Sequence, residues 1–290
     1  MIRHRAGRRR SSIARKVGFA SALVVGLCAL LALPAFGFAS RITRTVIVPQ
    51  LGERSVTATC PKGEHVAFGG VTGEFKPPPK TTGHPSVFPT SMHRTAADRW
   101  TASGQSETVG TGSRLSAIAY CDRGAAPRVA SSTVRLAGFG AETATATCPS
   151  GTVVVGDGYS SGSSSAHLEY IGQLERKSPT QLAVTMVNVV KSATTITGIA
   201  YCGTGPAPTE YRKTITLAGH KGGTARVTCP PHTSLVFGGV DVSPPIGTSG
   251  NFSAVAPFSW TAQSRTQWVV TGYNIGNVGG GSLTAIAYCR

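Results

Sequence analysis

Short runs of alternating apolar and polar residues recur along most of this chain. Residues 55–60 (SVTATC), 181–189 (QLAVTMVNV) and 267–273 (QWVVTGY) alternate with a period of two, which in a strand places successive side chains on opposite faces. Turn-forming residues, such as the prolines at 77–79 and the glycines at 279–281, separate such runs. Beyond the N-terminal segment, no helical spacing of apolar residues is sustained over a useful length. The pattern predicts an all-β protein built from short strands.

The alternating runs belong to three copies of one unit. Each copy opens with a segment that ends in Cys-Pro and closes with one that ends in Ala-Tyr-Cys. The opening cysteines are Cys60, Cys148 and Cys229, and the closing cysteines are Cys121, Cys202 and Cys289. The repeats therefore span 41–123, 129–205 and 210–290, with about five short strands each. This spacing suits a sandwich, a barrel or a prism, and three separate small β-sandwich units are the alternative to one closed structure.

Large apolar residues recur at two fixed places in the middle of every repeat. One place holds Trp100, Leu182 and Trp268, and the other, eight residues upstream, holds Met92, Leu174 and Trp260. Because Leu and Met replace Trp, we expect core packing rather than a sugar-stacking platform. A glycine pair follows two of the opening cysteines, at 69–70 and 238–239, and is expected to permit a bulge or a positive φ angle.

The N-terminal segment has the features of an export signal. Residues 1–16 carry seven Lys and Arg and no acid, and an apolar run extends from Val17 to Ala39. Small residues before Ser40 favour cleavage after Ala39, which leaves an exported all-β region of residues 40–290. The alternative is an uncleaved single-pass anchor with residues 40–290 outside, because this run is long enough to cross a bilayer.

Export changes how the cysteines and the charge are interpreted. Six cysteines in three equivalent pairs predict three disulfides, and the repeat favours joining each opening cysteine to the closing cysteine of its own copy. No CxxC occurs and no His recurs at a fixed spacing from the cysteines, so we predict no metal and no other cofactor. The formal net charge of +16 falls to +9 without residues 1–39. Anionic envelope polymers are therefore expected as partners in preference to nucleic acid.

One resemblance rests on the segments that follow the opening cysteines. Residues 60–63 (CPKG), 148–151 (CPSG) and, imperfectly, 229–232 (CPPH) are each followed by a later closing cysteine. This pattern resembles the vitelline-membrane outer-layer protein family, and it is similar to a repeat of exported bacterial proteins of unknown function. The resemblance covers about a third of each repeat. It implies a β-prism of three Greek-key sheets around a pseudo-threefold axis and a carbohydrate-related role, and no binding residue carries over.

The chemistry of catalysis is weakly represented. Residues 158–162 (GYSSG) match the nucleophile-elbow pattern, but that pattern requires a strand, a sharp turn and then a helix, and no helix pattern follows here. The acidic residues are scattered and form no paired-carboxylate motif. We therefore predict that the protein is not an enzyme, and a hydrolase that uses Ser160 is a minor alternative.

The segments between strands in the middle of each repeat differ most among the copies, and binding residues usually lie on such loops. Basic and aromatic side chains there form the candidate binding set: Lys76, Lys80, His84, His93, Arg94, Tyr170, Arg176, Lys177 and Trp260. We predict an extracytoplasmic module that binds a glycan or an anionic envelope polymer. The alternative is a structural or protein-interaction module of the cell surface.

Overall fold

Eighteen β-strands form within the residues that the computed structural model describes, which are 38–75, 87–106, 112–162, 169–243, 255–276 and 280–290. Repeat one contains β1 (Ser40–Val48), β2 (Glu53–Thr59), β3 (His65–Gly73), β4 (Val87–Ala96), β5 (Arg99–Ser106) and β6 (Ser113–Asp122). Repeat two contains β7 (Arg128–Leu136), β8 (Ala141–Thr147), β9 (Val153–Ser161), β10 (Glu169–Ser178), β11 (Gln181–Asn188) and β12 (Thr194–Gly203). Repeat three contains β13 (Thr209–Leu217), β14 (Gly222–Thr228), β15 (Leu235–Ser243), β16 (Val255–Ala262), β17 (Gln267–Asn274) and β18 (Gly281–Cys289). Each repeat thus has six strands, one more than predicted.

These strands belong to one unit that runs from Phe36 to Arg290. The predicted export signal lies outside the described residues, apart from its last two positions. Within the described part of the chain, no helix is long and apolar enough to span a membrane.

The strands form three antiparallel sheets of six strands. Sheet 1 has the order β1-β6-β3-β16-β17-β14, sheet 2 has β2-β5-β4-β9-β12-β7, and sheet 3 has β13-β18-β15-β10-β11-β8. Every sheet takes the first, third and sixth strands of one repeat and the second, fourth and fifth strands of another. The fold is therefore all-β and matches a pseudo-threefold β-prism, as predicted.

The exchange of half-sheets excludes three separate sandwich units. Within one repeat, the third and fourth strands (β3 and β4 in repeat one) lie in different sheets, so an isolated repeat would leave both edges open. A neighbouring repeat pairs with each of these edges instead: β3 pairs with β16, β9 with β4, and β15 with β10. The ring closes because repeat one shares a sheet with repeat three.

The prism interior holds the large apolar residues that recur in the sequence. Trp100, Leu182 and Trp268 are completely buried, as are Met92, Leu174 and Trp260. The prediction of core packing is confirmed for all six, and Trp260 is therefore removed from the candidate binding residues.

The glycine pairs have a different purpose from the one predicted. None of these four glycines has a positive φ, and the bulge of each strand lies just before the glycine pair, between Val66 and Phe68 and between Leu235 and Phe237. A Cβ atom at Gly69 would lie 1.9 Å from the Trp100 ring, and one at Gly238 would lie 2.1 Å from the Trp268 ring. Each indole N–H donates to the next glycine carbonyl, at 3.2 Å in repeat one and 3.0 Å in repeat three. The glycines are required because an indole ring occupies the space beside the strand.

Repeat two fills the same space with different chemistry. Asp157 pairs with Ala200, two residues before the closing cysteine, which is the register position of Gly69 and Gly238. Leu182 replaces the tryptophan that faces the glycine in the other two repeats. Asp157 is 1% exposed, and neither carboxyl oxygen has a hydrogen-bond partner from another residue. Burial raises the pKa of this carboxyl well above its usual range.

The three predicted disulfides are confirmed. The pairs are Cys60–Cys121, Cys148–Cys202 and Cys229–Cys289, with Cα–Cα distances of 5.7, 5.6 and 5.7 Å. These distances match the common range for disulfides. Three such bonds are typical of proteins that fold in an oxidising compartment outside the cytoplasm.

The Cys-Pro-x-Gly segments owe their glycine to the turn that follows each opening cysteine. Gly63 and Gly151 have φ angles of 83° and 78°, and His232 adopts 65° at the equivalent place. A left-handed conformation costs a residue with a Cβ atom about 1 to 2 kcal/mol. The third copy therefore keeps the turn despite a less suitable residue.

Candidate functional site

The sequence-predicted binding residues are distributed over all three sheets. Lys76, Lys80 and His84 lie outside the described residues. His93 and Arg94 lie in β4 of sheet 2, Tyr170, Arg176 and Lys177 in β10 of sheet 3, and Trp260 in β16 of sheet 1. The last six therefore lie on strands and not on loops, which corrects their predicted placement, and they do not converge on one site.

Arg94 and Arg176 occupy equivalent positions, and both are held against a tyrosine of the next repeat. The guanidinium of Arg94 lies 4.8 Å from the ring centroid of Tyr201, and that of Arg176 lies 4.8 Å from the ring centroid of Tyr288. The backbone N–H of each arginine donates to the tyrosine hydroxyl, at 2.6 and 2.8 Å. Partial burial lowers the pKa of both guanidinium groups. These arginines therefore hold adjacent repeats together.

The same tyrosine contact recurs a third time with alanine at the arginine position, and here the guanidinium of Arg41 lies 5.9 Å from the ring centroid of Tyr120. The N–H of Ala262 donates to the hydroxyl of Tyr120 at 2.7 Å. Burial raises the pKa of Tyr120 to about 12. The tyrosine of the Ala-Tyr-Cys motif thus joins two repeats at every junction, a role that the sequence analysis did not assign to it.

Lys177 takes part in an ion-pair cluster on the outer face of sheet 3. Its ammonium group contacts the carboxylate of Glu175, whose second oxygen accepts from Arg212 at 2.7 Å. Burial alone would raise the pKa of Glu175, but the hydrogen bonds from Lys177 and Arg212 outweigh it and hold that pKa below its usual value. Arg212 also contacts Glu210 at 2.5 Å. The charge of Lys177 is therefore already balanced within the protein.

The remaining two candidates have structural contacts. Tyr170 is 6% exposed and packs edge-on against Phe88, with 4.9 Å between the ring centroids. His93 is half-buried on β4, and burial lowers its pKa.

Ser160, the serine of the elbow-like motif, lies inside β9 and not at a turn before a helix. It stands directly opposite Ser91 on one side and Thr197 on the other. Following the pairing further across sheet 2 gives an unbroken line of hydroxyl residues. In strand order the line is Ser55, Ser103, Ser91, Ser160, Thr197 and Thr133.

Sheets 1 and 3 carry the same line at the same height. In sheet 1 it is Thr45, Ser116, Thr72, Ser259, Thr271 and Thr224. In sheet 3 it is Thr214, Thr284, Asp241, Gln173, Thr185 and Thr143. We call these three lines the hydroxyl rows. Sixteen of their eighteen positions carry Ser or Thr, and the two exceptions, Asp241 and Gln173, are also polar.

The rows face away from the prism interior. In β1 the next residue, Val46, packs on the core, and Val56 and Val134 do the same beside Ser55 and Thr133. Since side chains alternate along a strand, the hydroxyls point to the outer face. Five of the six edge members are exposed and Thr224 is half-buried. Among the inner members, Ser91, Ser259 and Thr284 are only 7%, 8% and 5% exposed.

Neighbouring hydroxyls within a row are hydrogen-bonded in pairs. The oxygen–oxygen distance is 2.8 Å for Thr45 with Ser116, 2.8 Å for Ser55 with Ser103 and 3.1 Å for Ser259 with Thr72. A hydroxyl has one donor and two acceptor lone pairs. Each of these three pairs therefore keeps one O–H and several lone pairs for a ligand.

The row on sheet 3 is the one that contains an ionisable side chain, Asp241. Burial and the nearby Glu175 raise the pKa of Asp241, and Gln173 hydrogen-bonds to its carboxylate. The rows on sheets 1 and 2 are uncharged. Among the described residues, no group of three or more His, Cys, Asp or Glu side chains could hold a metal ion.

The sequence contained a signal for these rows. A Ser or Thr stands five residues before each of the six disulfide cysteines, and all six of these residues are row members. That signal has a functional meaning only once the strands are placed side by side.

No protein-family model matches this chain, and no curated protein is similar to it in sequence. The resemblance carried by the Cys-Pro-x-Gly segments therefore stays a prediction.

Proposed function

We propose that the protein is an extracytoplasmic module that binds a glycan on its hydroxyl rows. The three rows carry the proposal, because each forms a continuous line of polar, mostly hydroxyl, side chains across an entire sheet. With strands about 4.8 Å apart, six positions span about 24 Å, which is long enough to follow several units of a polymer. Sugar hydroxyls have the same combination of donor and acceptors as the row.

The cations of the candidate binding set that the structure describes are engaged within the protein, which favours a neutral glycan over an anionic polymer at these positions. Lys177 is paired with Glu175, and Arg94 and Arg176 are stacked on tyrosines of adjacent repeats. These cations are committed to contacts inside the protein. Binding through hydroxyl groups is also much less sensitive to salt than binding through exposed charges.

The test is co-sedimentation of the protein with cell-wall polysaccharide, from low salt to about 1 M, where charge interactions are screened beyond about 3 Å. We expect saturable binding that survives high salt. Changing one row (Ser91→Ala, Ser160→Ala and Thr197→Val together) should reduce the binding capacity by about a third, because two unchanged rows remain.

The matched control is Thr57→Val with Thr101→Val. These two residues form a hydroxyl pair at 2.8 Å on the same outer face, one step away from the row, so their loss perturbs the sheet in the same way. The control should keep full capacity. Binding that disappears at high salt would instead point to an anionic polymer, and unchanged capacity after all three rows are altered would refute the proposal.

A further inference from the structure

The turn that joins the first two strands of every repeat carries the chain from one sheet to the next, and it contains the same unfavourable backbone conformation each time. Leu51, Phe139 and His220 lie three residues after the ends of β1, β7 and β13, with φ angles of 49°, 52° and 53°. Glycine or asparagine usually occupies such a left-handed position. The chain instead keeps a large side chain there in all three repeats. Backbone strain retained at equivalent places is a reason to ask what the side chains contribute.

These side chains are directed into solvent. Leu51 is 61% exposed and Phe139 is 70% exposed. Among the described residues, the large hydrophobic side chains with such exposure are Ile47, Leu51, Val129 and Phe139. Three of the four lie at the end of the prism that carries these turns, and Val129, at the start of β7, lies at the opposite end.

These three turns, which we call the tips, are at the same end because their strands are equivalent. The last residues of β1, β7 and β13 pair with the first residues of β6, β12 and β18, as in Val48 with Ser113, Leu136 with Thr194 and Leu217 with Gly281. The tips therefore surround the pseudo-threefold axis. Three tips define a plane, so they can contact a flat surface together.

The described residues around the tips carry more exposed basic than acidic side chains. Exposed basic side chains lie beside all three of them: Arg54, Arg114, Arg135, Lys191 and Lys221. Among the described residues at this end, Glu142 is the exposed carboxylate, and Glu53 and Glu74 are half-buried. Exposed apolar tips within a basic rim suit a surface that is apolar beneath and negatively charged above.

We infer that this end of the prism docks on an anionic lipid surface, with Leu51 and Phe139 entering the headgroup region. Apolar side chains at the interface and basic side chains near anionic headgroups each contribute to such binding. His220 occupies the third tip, where a polar aromatic ring can lie at headgroup level. This inference is independent of the hydroxyl rows, which lie on the outer faces of the sheets.

The test measures sedimentation with vesicles of phosphatidylglycerol mixed with phosphatidylcholine, and with vesicles of phosphatidylcholine alone. It uses residues 36–290, because this unit contains every described strand and all three disulfides and omits most of the apolar N-terminal segment. We expect binding to the anionic vesicles that weakens as salt is raised.

The decisive variant is Leu51→Gly with Phe139→Gly. It should bind anionic vesicles at least about tenfold more weakly, which corresponds to about 1.4 kcal/mol. It should also melt at a higher temperature than the unaltered protein, since glycine relieves the left-handed strain. Because stability and binding change in opposite directions, weaker binding cannot result from unfolding.

Two further variants complete the comparison. Val129→Thr removes an exposed apolar side chain at the opposite end and should leave vesicle binding unchanged. Lys191→Gln with Lys221→Gln should weaken binding and reduce its dependence on salt. The inference is overturned if the unaltered protein does not sediment with anionic vesicles, or if the double-glycine variant binds them equally well. It is also overturned if the tips mediate self-association, seen as a concentration-dependent dimer that the double-glycine variant loses.

Discussion

Two core positions of repeat two differ together from those of the other repeats. Asp157 stands where they have glycine, and Leu182 stands where they have tryptophan. We predict that Asp157→Gly combined with Leu182→Trp stabilises the protein, although Leu182→Trp alone destabilises it. The reason is that the side chains at 157 and 182 share one space, as the glycine and indole ring do in repeats one and three.

The magnitudes follow from the geometry of the other repeats. There, a Cβ atom at the glycine would lie 1.9 or 2.1 Å from the indole, so Leu182→Trp with the aspartate still in place is overpacked and should cost about 1 to 3 kcal/mol or more. Asp157→Gly alone removes an unpartnered carboxyl, a gain of about 1 to 3 kcal/mol. It also leaves a void and adds glycine entropy of about 0.5 to 1 kcal/mol, so a net change within about 1 kcal/mol is expected.

The double variant removes both the overpacking of Leu182→Trp and the void of Asp157→Gly. The indole fills the void, and its N–H can donate to the carbonyl of Gly158, the register equivalent of Gly70 and Gly239. We expect the double variant to be about 1 to 3 kcal/mol more stable than the unaltered protein. The coupling energy between the two sites should be at least about 2 kcal/mol, because neighbouring side chains do not act additively.

The raised pKa of Asp157 also makes stability depend on pH. An unfolded aspartate has a pKa of about 3.9, whereas the buried carboxyl holds its proton to a higher pH. The folded state binds this proton more tightly, so the contribution of this carboxyl to the free energy of unfolding is largest below the unfolded pKa. It falls by about 1.4 kcal/mol per pH unit until the pH passes the folded pKa. Asp157→Gly should remove this slope.

The measurement is urea unfolding of the four proteins with disulfides intact, at about pH 5 and about pH 8. Additive effects of the two substitutions would contradict a shared space, and so would stabilisation by Leu182→Trp alone. An Asp157→Gly variant with the same pH slope as the unaltered protein would show that this carboxyl is not the group that titrates.

Two other substitutions test the junctions and the turns. Tyr201→Phe removes the acceptor of the Arg94 N–H, 2.6 Å away, and should lower the free energy of unfolding by about 1 to 3 kcal/mol. The matched control is Tyr211→Phe on the half-buried face of β13, which should have little effect. Equal losses in the two variants would contradict the junction role. His232→Gly relieves the strain of a φ angle of 65° and should raise the free energy of unfolding by about 1 kcal/mol. Gly63→Ala at the equivalent turn should lower it. A destabilised His232→Gly variant would mean that the imidazole makes a contact worth more than the strain.

Sequence patterns predicted the local features of the fold but not the pairing between repeats. The repeat period, the disulfide partners and the burial of Trp100 and Trp268 follow from residues that recur at fixed spacing, and the structure confirms them. The pairing of β3 with β16 joins residues almost two hundred positions apart, at Thr72 and Ser259. Alternation within a strand does not specify which distant strand lies beside it.

The candidate site was predicted less well for the same reason. Basic residues such as Arg94 and Lys177 were expected on loops, where charge suggests a ligand, but Arg94 lies against a tyrosine of another strand and Lys177 pairs with a nearby carboxylate. Conversely, a single Ser or Thr in a strand such as Ser160 carries no signal by itself. It becomes part of a row only when five other strands are aligned with it.

The interleaving of half-sheets also sets an order for folding. Sheet 2 needs only repeats one and two, and sheet 3 needs repeats two and three, whereas sheet 1 needs β16, β17 and β14 beside strands from the other end of the chain. When the chain is made from its N-terminus, the edge of β3 that pairs with β16 therefore stays open until most of repeat three has been synthesised. Such long-range pairing is slow and leaves the edge available for aggregation. We expect the nascent protein to depend on a holding chaperone until β17 has emerged, and chains truncated within repeat three to aggregate.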